Sequence, residues 1–566
     1  MTQPQRTFDD TLVELGEFGR YQIVIYGVLC LFQFVISWQT LVTVFTSGEP
    51  EHWCTIPEWS SVDCDSYGFN TTWGCSSAKR EAGIPWNYTK DGEKQFASCR
   101  RYNVTGVEFS PDLDLTGSGL VGCDAGWEYA EASDGSLTVN QEFDLVCGSE
   151  YLEPLSQSLY FAGNAIGAVL CGIMADRIGR HRSLFLCLVA HAAAGVAVSF
   201  STGMWMFLIF RVVAGASVMG VMSSAFVLAN EFVGPSKRNV AGNVIWMVFS
   251  MGYMSLAFIA YYIRYWRKLY LVISVVPFVL LLFFCIIPES ARWLVSKGRE
   301  PEARKIMQRL AKCNKRKLSE SFTMCDIVPE SGDEVKLQEG LFDLLRMPRL
   351  RLYSLNIVFQ IIVNTIVYFG LSLSTDTLGV NKYIAFAISG VVEIPASCGV
   401  IYPIEYWGRR PTYMFFMFTS GLSIIATIFI PYGIGRATVA MLGKFAITAS
   451  FCIIYLQAAE IFPTTVRNTA IGTTNFFSNL ANILCPQFLR LGKVWVPLPL
   501  LIFGSVSILA GAAAFFLPET QGKNIPETLH DAENIGWQGG RRRRRGIKAT
   551  SYPYQKASGG ELEVHV

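Results

Sequence analysis

The sequence predicts an all-α membrane protein with twelve transmembrane helices in two six-helix halves and a large loop between helices 1 and 2. Three observations predict it. Of the 566 residues, 51% are hydrophobic and only 16% charged, too apolar a balance for a soluble chain of this length. The apolar residues come in runs of about 18–25, which is what a hydrocarbon core of ~30 Å requires of a helix. The two halves of the chain also repeat one another at a fixed offset.

The spans are expected at 21–45, 153–174, 182–201, 204–229, 239–262, 268–287, 351–374, 382–404, 411–431, 437–459, 467–490 and 496–517. The opening "MTQPQRTFDDTLVELGEFGRYQ" has no basic segment followed by a cleavable apolar core, so span 1 is read as a signal anchor. Between spans 6 and 7 lie Arg292, Lys297, Arg299, Arg304, Lys305, Arg309, Lys312, Lys315, Arg316 and Lys317. Basic density next to a span end marks the cytoplasmic side, and Arg541–Arg545 in the tail agrees. The expected divisions are a cytoplasmic segment 1–20, a first half 21–288, a cytoplasmic central loop 289–350, a second half 351–517 and a cytoplasmic tail 518–566, in a multi-pass plasma-membrane protein with both termini inside.

Loop 46–152 then lies outside. It holds six cysteines, Cys54, Cys64, Cys75, Cys99, Cys123 and Cys147, and the sequons at Asn70, Asn87 and Asn103. An even cysteine count in such a loop reads as up to three disulfides, with pairing open. Sequons confined to this one loop read as glycosylation sites.

The repeat sets the architecture. "DRIGRHR" begins at Asp176 and "EYWGRRP" at Glu405 (405 − 176 = 229). "EFVGPSKRN" begins at Glu231 and "EIFPTTVRN" at Glu460 (460 − 231 = 229). "PES" at Pro288 and "PET" at Pro518 close spans 6 and 12 (518 − 288 = 230). Acids at these turns do nothing for topology. They are therefore read as a gate: Asp176, Arg180, Glu231 and Arg238 from the first half, with Glu405, Arg409, Glu460 and Arg467 from the second, form ion pairs that hold the halves together on the cytoplasmic side while the outside is open and that break when the inside opens. Gly179 and Gly408 permit the tight turns. Parallel halves of this kind belong to rocker-type transporters.

On these turns, on "PESARWLVSKGR" at 288–299, "LPETQGKNIPET" at 517–528, "GEFGRYQ" before span 1, the cysteine-rich loop and "VEIP" in span 8, the chain resembles the organic cation, carnitine and organic anion transporters of the major facilitator superfamily. The resemblance runs from about Phe8 to Glu533. It implies secondary transport across the plasma membrane of a small organic cation or a zwitterion, such as a quaternary ammonium or a carnitine-like betaine.

Depth along each helix, at about 1.5 Å per residue, selects the expected binding level. Glu393 stands about three turns above Glu405, Asn479 about three turns along span 11, and Asn364 slightly deeper along span 7 with Tyr368 a turn further. Gln33, Trp38, Asn164, Trp246 and Tyr253 fall at similar depth in the first half, and Lys444 is placed nearer the outer side. An isolated carboxylate in an apolar span costs at least about 2.5–3.5 kcal/mol. Glu393 is therefore assigned the substrate's positive charge, helped by aromatic faces; the alternative is a structural ion pair with Lys444. By the resemblance, Asn479 falls where cation-selective relatives carry Asp and anion or carnitine relatives carry Arg. A neutral amide selects neither sign, which suits a zwitterion or a monovalent cation.

Two other functions compete: an organic anion exchanger using Lys444, and a transporter-like receptor that binds without transport. The sequence contains no Walker loop, no nucleophile elbow and no metal-ligand spacing, so neither an enzyme, a cofactor, a metal nor a nucleic-acid partner is expected. The partners expected are the substrate, the lipid bilayer and, through Val564-His565-Val566, a PDZ domain.

Overall fold

The computed structural model describes residues 8–316, 344 and 346–534 except 49, 63–71, 89–93, 111–112, 116, 131–134, 464–465, 524–525 and 527. Among the described residues, twelve long helices cross the molecule. Spans 1 to 6 are Arg20–Leu41, Leu152–Ile178, Arg180–Ser199, Met204–Phe232, Arg238–Tyr262 and Trp266–Val279. Spans 7 to 12 are Pro348–Leu373, Lys382–Gly399, Arg409–Phe429, Ile434–Ile461, Arg467–Arg490 and Leu498–Ala513. Span 6 tightens into a 3-10 segment at Leu280–Cys285 just after Pro277, where the ring removes a backbone donor. Span 8 breaks at Val400 and resumes at Ile401–Trp407. Among the described residues, eleven of the helices are apolar enough to cross a membrane. Span 11 falls short because it carries Asn475, Ser478, Asn479 and Asn482.

The described buried apolar side chains fall mainly into two large clusters. One runs from Phe8 to Ala311 with Phe386 added, the other from Leu344 to Ala532. Each is the core of one six-helix bundle. The side bearing loop 46–152 is called the loop side below, and the side bearing the 2–3 and 8–9 turns the turn side.

The repeated glycines and acids have one local explanation. Gly179 (φ 106°, ψ 156°) and Gly408 (φ 97°, ψ 171°) occupy a backbone region open only to glycine. The Glu289 carboxylate of "PES" accepts the His181 N–H at 3.0 Å, and the Glu519 carboxylate of "PET" accepts the Arg409 and Arg410 N–H groups, both at 3.0 Å. A Cβ on Gly179 would stand 2.1 Å from Glu289 Oε2, and one on Gly408 2.8 Å from Glu519 Oε2. Each "PE" glutamate thus caps the start of the third helix of its half, neutralising orphan donors and the positive helix end.

Loop 46–152 forms a small unit with its own core of Trp53, Ile56, Trp59, Ile84, Val104 and Phe109. Strand His52–Cys54 pairs antiparallel with Trp127–Tyr129, and disulfides join Cys54 to Cys123 and Cys99 to Cys147. Buried Arg101 is held between Glu58 (3.1 Å) and Asp124 (3.0 Å). The unit rests on the helices through Glu142, which accepts the Trp266 indole N–H at 2.6 Å and pairs with Arg267. Asn87 and Asn103 are exposed. Asn70, Cys64, the Cys75 side chain, Arg541–Arg545 and Val564–Val566 lie outside the described residues.

Candidate functional site

Spans 5, 7, 8 and 10 bring one charged cluster to the seam between the halves. Glu393 and Lys444 are both buried, and their charges stand 3.0 Å apart. The Tyr368 hydroxyl donates to Glu393 Oε1 at 2.7 Å, and the Ser250 hydroxyl donates to Oε2 at 2.6 Å. Lys444 Nζ sits 3.4 Å from the Tyr368 ring centroid and donates to the Ser372 hydroxyl. Tyr253 closes the cluster from the first half: its hydroxyl donates to Ser389 at 3.0 Å, and its ring meets Phe386 edge-on at 4.1 Å. Trp246, one turn before Ser250 on the same face, is 46% exposed.

A buried carboxylate is costly without a partner charge and hydrogen bonds. Glu393 has both, and its partner ammonium is also held against an aromatic face. That is the environment a cationic headgroup requires. The expectation that Lys444 lies nearer the loop side is not met: the structure places it level with Glu393. The reason is geometric. Counted from the loop side, Glu393 is about three turns into span 8, which starts at Lys382, and Lys444 about three turns into span 10, which starts at Ile434. Counting from the turn side runs across the break at Val400 and loses this correspondence.

Other expected binding residues face elsewhere. Asn364 is buried inside the second half, donating to the Gln360 carbonyl (2.8 Å) and Tyr413 (2.6 Å) and accepting from Ser450 (2.6 Å). Gln33 donates to the Met222 carbonyl at 3.0 Å. Trp38 donates to Ser255 at 2.8 Å and to the Gly252 carbonyl at 3.1 Å. Asn164 is buried where spans 2 and 4 meet, its Oδ1 3.1 Å from where a Gly215 Cβ would stand. These four sit within their own halves, because depth along a helix fixes height and not the face. Asn479 donates to the Asn475 carbonyl of its own helix at 3.1 Å.

In this conformation the turn-side charges pair within the halves. Arg180 pairs with Asp176 (3.0 Å) and Glu231 (3.7 Å), and Arg409 with Glu460 (3.1 Å). These pairs lie within each half, not between the halves. Arg238 pairs with Asp9 of the N-terminal helix Phe8–Glu14 at 2.6 Å rather than with Glu231. Glu405 is exposed, and Arg467 Nε donates to the Phe462 carbonyl at 3.2 Å.

The contacts that join the halves start on the loop side. Glu150 pairs with Lys493 at 3.0 Å. Ser158 donates to the Ile483 carbonyl at 2.7 Å and accepts from Gln487 at 3.1 Å. Phe45 stacks on Tyr383 at 5.3 Å. Deeper, the series reaches Ser250–Glu393 and Cys398–Met247, sulfur to sulfur 3.8 Å. The seam is thus shut from the loop side down to the Glu393 cluster. The sequence reading missed Ser250, Ser372, Ser389 and this series, since hydroxyls in apolar helices carry no sequence pattern of their own.

The comparisons with known proteins agree with this architecture. Residues 124–530 match the family described as sugar (and other) transporter. The chain is 36% identical over 541 residues to the "Organic cation transporter protein" of Drosophila melanogaster, covering 94% of this chain and 95% of that one. It is 33% identical to "Solute carrier family 22 member 3" of Rattus norvegicus (94% and 96% covered) and 34% identical to "Solute carrier family 22 member 13" of Homo sapiens (93% and 93%). The fold matches the inward open xylose transporter XylE from E. coli, with a TM-score of 0.58 at 16% identity over 91% of this chain and 100% of that one. The protein is a membrane transporter and not an enzyme: it belongs to the organic cation, carnitine and organic anion transporter family of the major facilitator superfamily.

Proposed function

We propose that this chain carries small organic cations or zwitterions across the plasma membrane by alternating access, and that Glu393 receives their positive charge. One observation carries the reading: at the seam of the two halves Glu393 already holds an ammonium, 3.0 Å away and over the Tyr368 ring. A substrate cation replaces Lys444 there charge for charge, so the carboxylate is never left buried alone, which would cost about 3–5 kcal/mol. A zwitterion offers its carboxylate to the displaced Lys444 in the same step. The name of the fly relative and the neutral Asn479 support this choice of charge.

The same reading sets the topology. The disulfides and the exposed Asn87 and Asn103 support an extracellular loop side, with glycans on Asn70, Asn87 and Asn103 and both termini in the cytoplasm. A PDZ partner for the last three residues belongs to the proposal too. An anion exchanger built on Lys444 is the second reading, favoured by the hydrogen-bonded ammonium at the seam.

The test is uptake of labelled tetraethylammonium, carnitine and an aryl carboxylate in cells expressing the chain, repeated with the charge-swapped E393K/K444E variant. Uptake of the first two, lost in the swap, supports the proposal. Uptake of the carboxylate alone selects the anion reading. Restored cation uptake in the swap makes the pair purely structural.

A further inference from the structure

Where spans 9 and 10 meet on the loop side, Arg436 is 6% exposed. Among the described residues it makes no ion pair or hydrogen bond, and its Nε is buried without a partner. Its guanidinium lies 4.2 Å from the Tyr432 ring centroid. Cation–π attraction of about 0.5–2 kcal/mol does not neutralise a buried charge, and a guanidinium offers five donors and accepts nothing.

Arg436 lines an open groove of ≈ 370 Å³ with Phe429, Tyr432, Val496 and Pro497. It also stands in the first turn of the 28-residue span 10. The first bonded amide there is Ala437, which donates to the Gly433 carbonyl at 3.1 Å. The N–H groups of Ile434, Gly435 and Arg436 therefore lack helical acceptors, and the positive helix end adds to the guanidinium. The surrounding residues are apolar and open, with Phe429 81%, Ile434 81% and Val496 59% exposed. A water-soluble ligand gains nothing from such a rim. An acyl chain does.

We propose that this groove binds the phosphate of a phospholipid from the loop-side leaflet. The phosphodiester takes the Arg436 fork in the two-pronged geometry that guanidinium and phosphate share, near the free amides of span 10. The lipid's glycerol and chains lie over Phe429, Val496 and Pro497. The site is separate from the Glu393 cluster and does not depend on which substrate is carried.

The experiment uses the full chain, purified in a mild non-ionic detergent and titrated with dioleoylphosphatidylglycerol, with retained lipid read by native mass spectrometry. Arg436→Met removes the fork. Val496→Trp leaves the fork in place and fills the groove, so it carries the test if the first variant fails to fold. Each is expected to lower retention at least about tenfold, the scale of one charge-assisted contact. Dioleoylglycerol, which lacks the phosphate, is expected not to be retained, and inorganic phosphate not to displace the lipid. Equal retention by the wild type and a folded variant overturns the site. Equal retention of dioleoylglycerol overturns the role of the phosphate. Displacement by inorganic phosphate makes it a site for free anions and overturns the lipid.

Discussion

The Ser250 hydroxyl, on the first half, donates to the Glu393 carboxylate, on the second half, at 2.6 Å. The hydrogen bond therefore spans the seam and ends on the group that is proposed to bind substrate. Any change in what Glu393 holds is felt directly by a contact between the halves, which is what coupling of binding to alternating access requires.

Removing that contact should loosen the closed seam. A hydrogen bond to a charged group contributes about 1.5–3 kcal/mol, so Ser250→Ala is expected to shift the two-state balance toward loop-side opening by roughly tenfold or more. Labelling of a cysteine introduced beside the seam by a membrane-impermeant maleimide reads this. An unchanged labelling rate would mean that Ser250 contributes nothing to closure.

The Glu150–Lys493 pair should have a smaller effect, since the lysine side chain is 44% exposed. Such pairs contribute about 0.2–1 kcal/mol. Lys493→Glu is expected to raise loop-side labelling up to about fivefold, more at low salt than at high salt. The E150K/K493E double variant should return it to the starting rate.

The turn-side caps should govern stability rather than selectivity. Glu519 accepts the N–H groups of Arg409, Arg410, Thr520 and Gln521, each at 3.0 Å. Glu519→Ala leaves these donors short of a partner and should cost at least about 1–3 kcal/mol. Gly408→Ala forces a side chain into a glycine-only backbone region for a similar cost. Thermal unfolding of the full chain should show both losses, and less than their sum in the double variant, because both act on one contact.

Asp9 offers a pH test. Burial pushes its carboxyl up, but the hydrogen bond and charge of Arg238 and the charge of Arg292 pull harder, and the net shift is below the ordinary aspartate value. A lowered folded pKa stabilises docking of the N-terminal helix fully above about pH 3.9, and that contribution is lost as pH falls through the folded value. Protease cleavage of this helix should therefore be constant between about pH 5 and 8 and rise in Asp9→Asn. Equal cleavage of wild type and variant would remove the ion pairs from the account.

Much of the fold was legible because spans announce themselves by apolar length, and span 11 was found despite its asparagines. The repeat marked the turns, and with the loop side shut their charges pair within each half, the conformation in which the expected pairs between the halves are broken. Arg180 and Arg409 are spaced to reach acids of their own half, and nothing in one sequence shows which half a charge faces. Gln33, Trp38 and Asn164 were chosen for depth alone, and Asn364 for depth and for its place in the resemblance, and each is turned into its own bundle. Glu393 was legible because a lone carboxylate in an apolar helix demands a partner. Lys444 was named as that partner only in the alternative reading, since depth from the turn side separated the two.

The most direct test of the central claim is tetraethylammonium uptake by Glu393→Gln at matched surface expression. The substitution keeps the shape and the Tyr368 and Ser250 neighbours but removes the charge. Losing one partner of a buried charge pair costs about 2–5 kcal/mol, roughly 30-fold to several thousand-fold in affinity. The account predicts that cation uptake collapses. Uptake at the wild-type rate would contradict it.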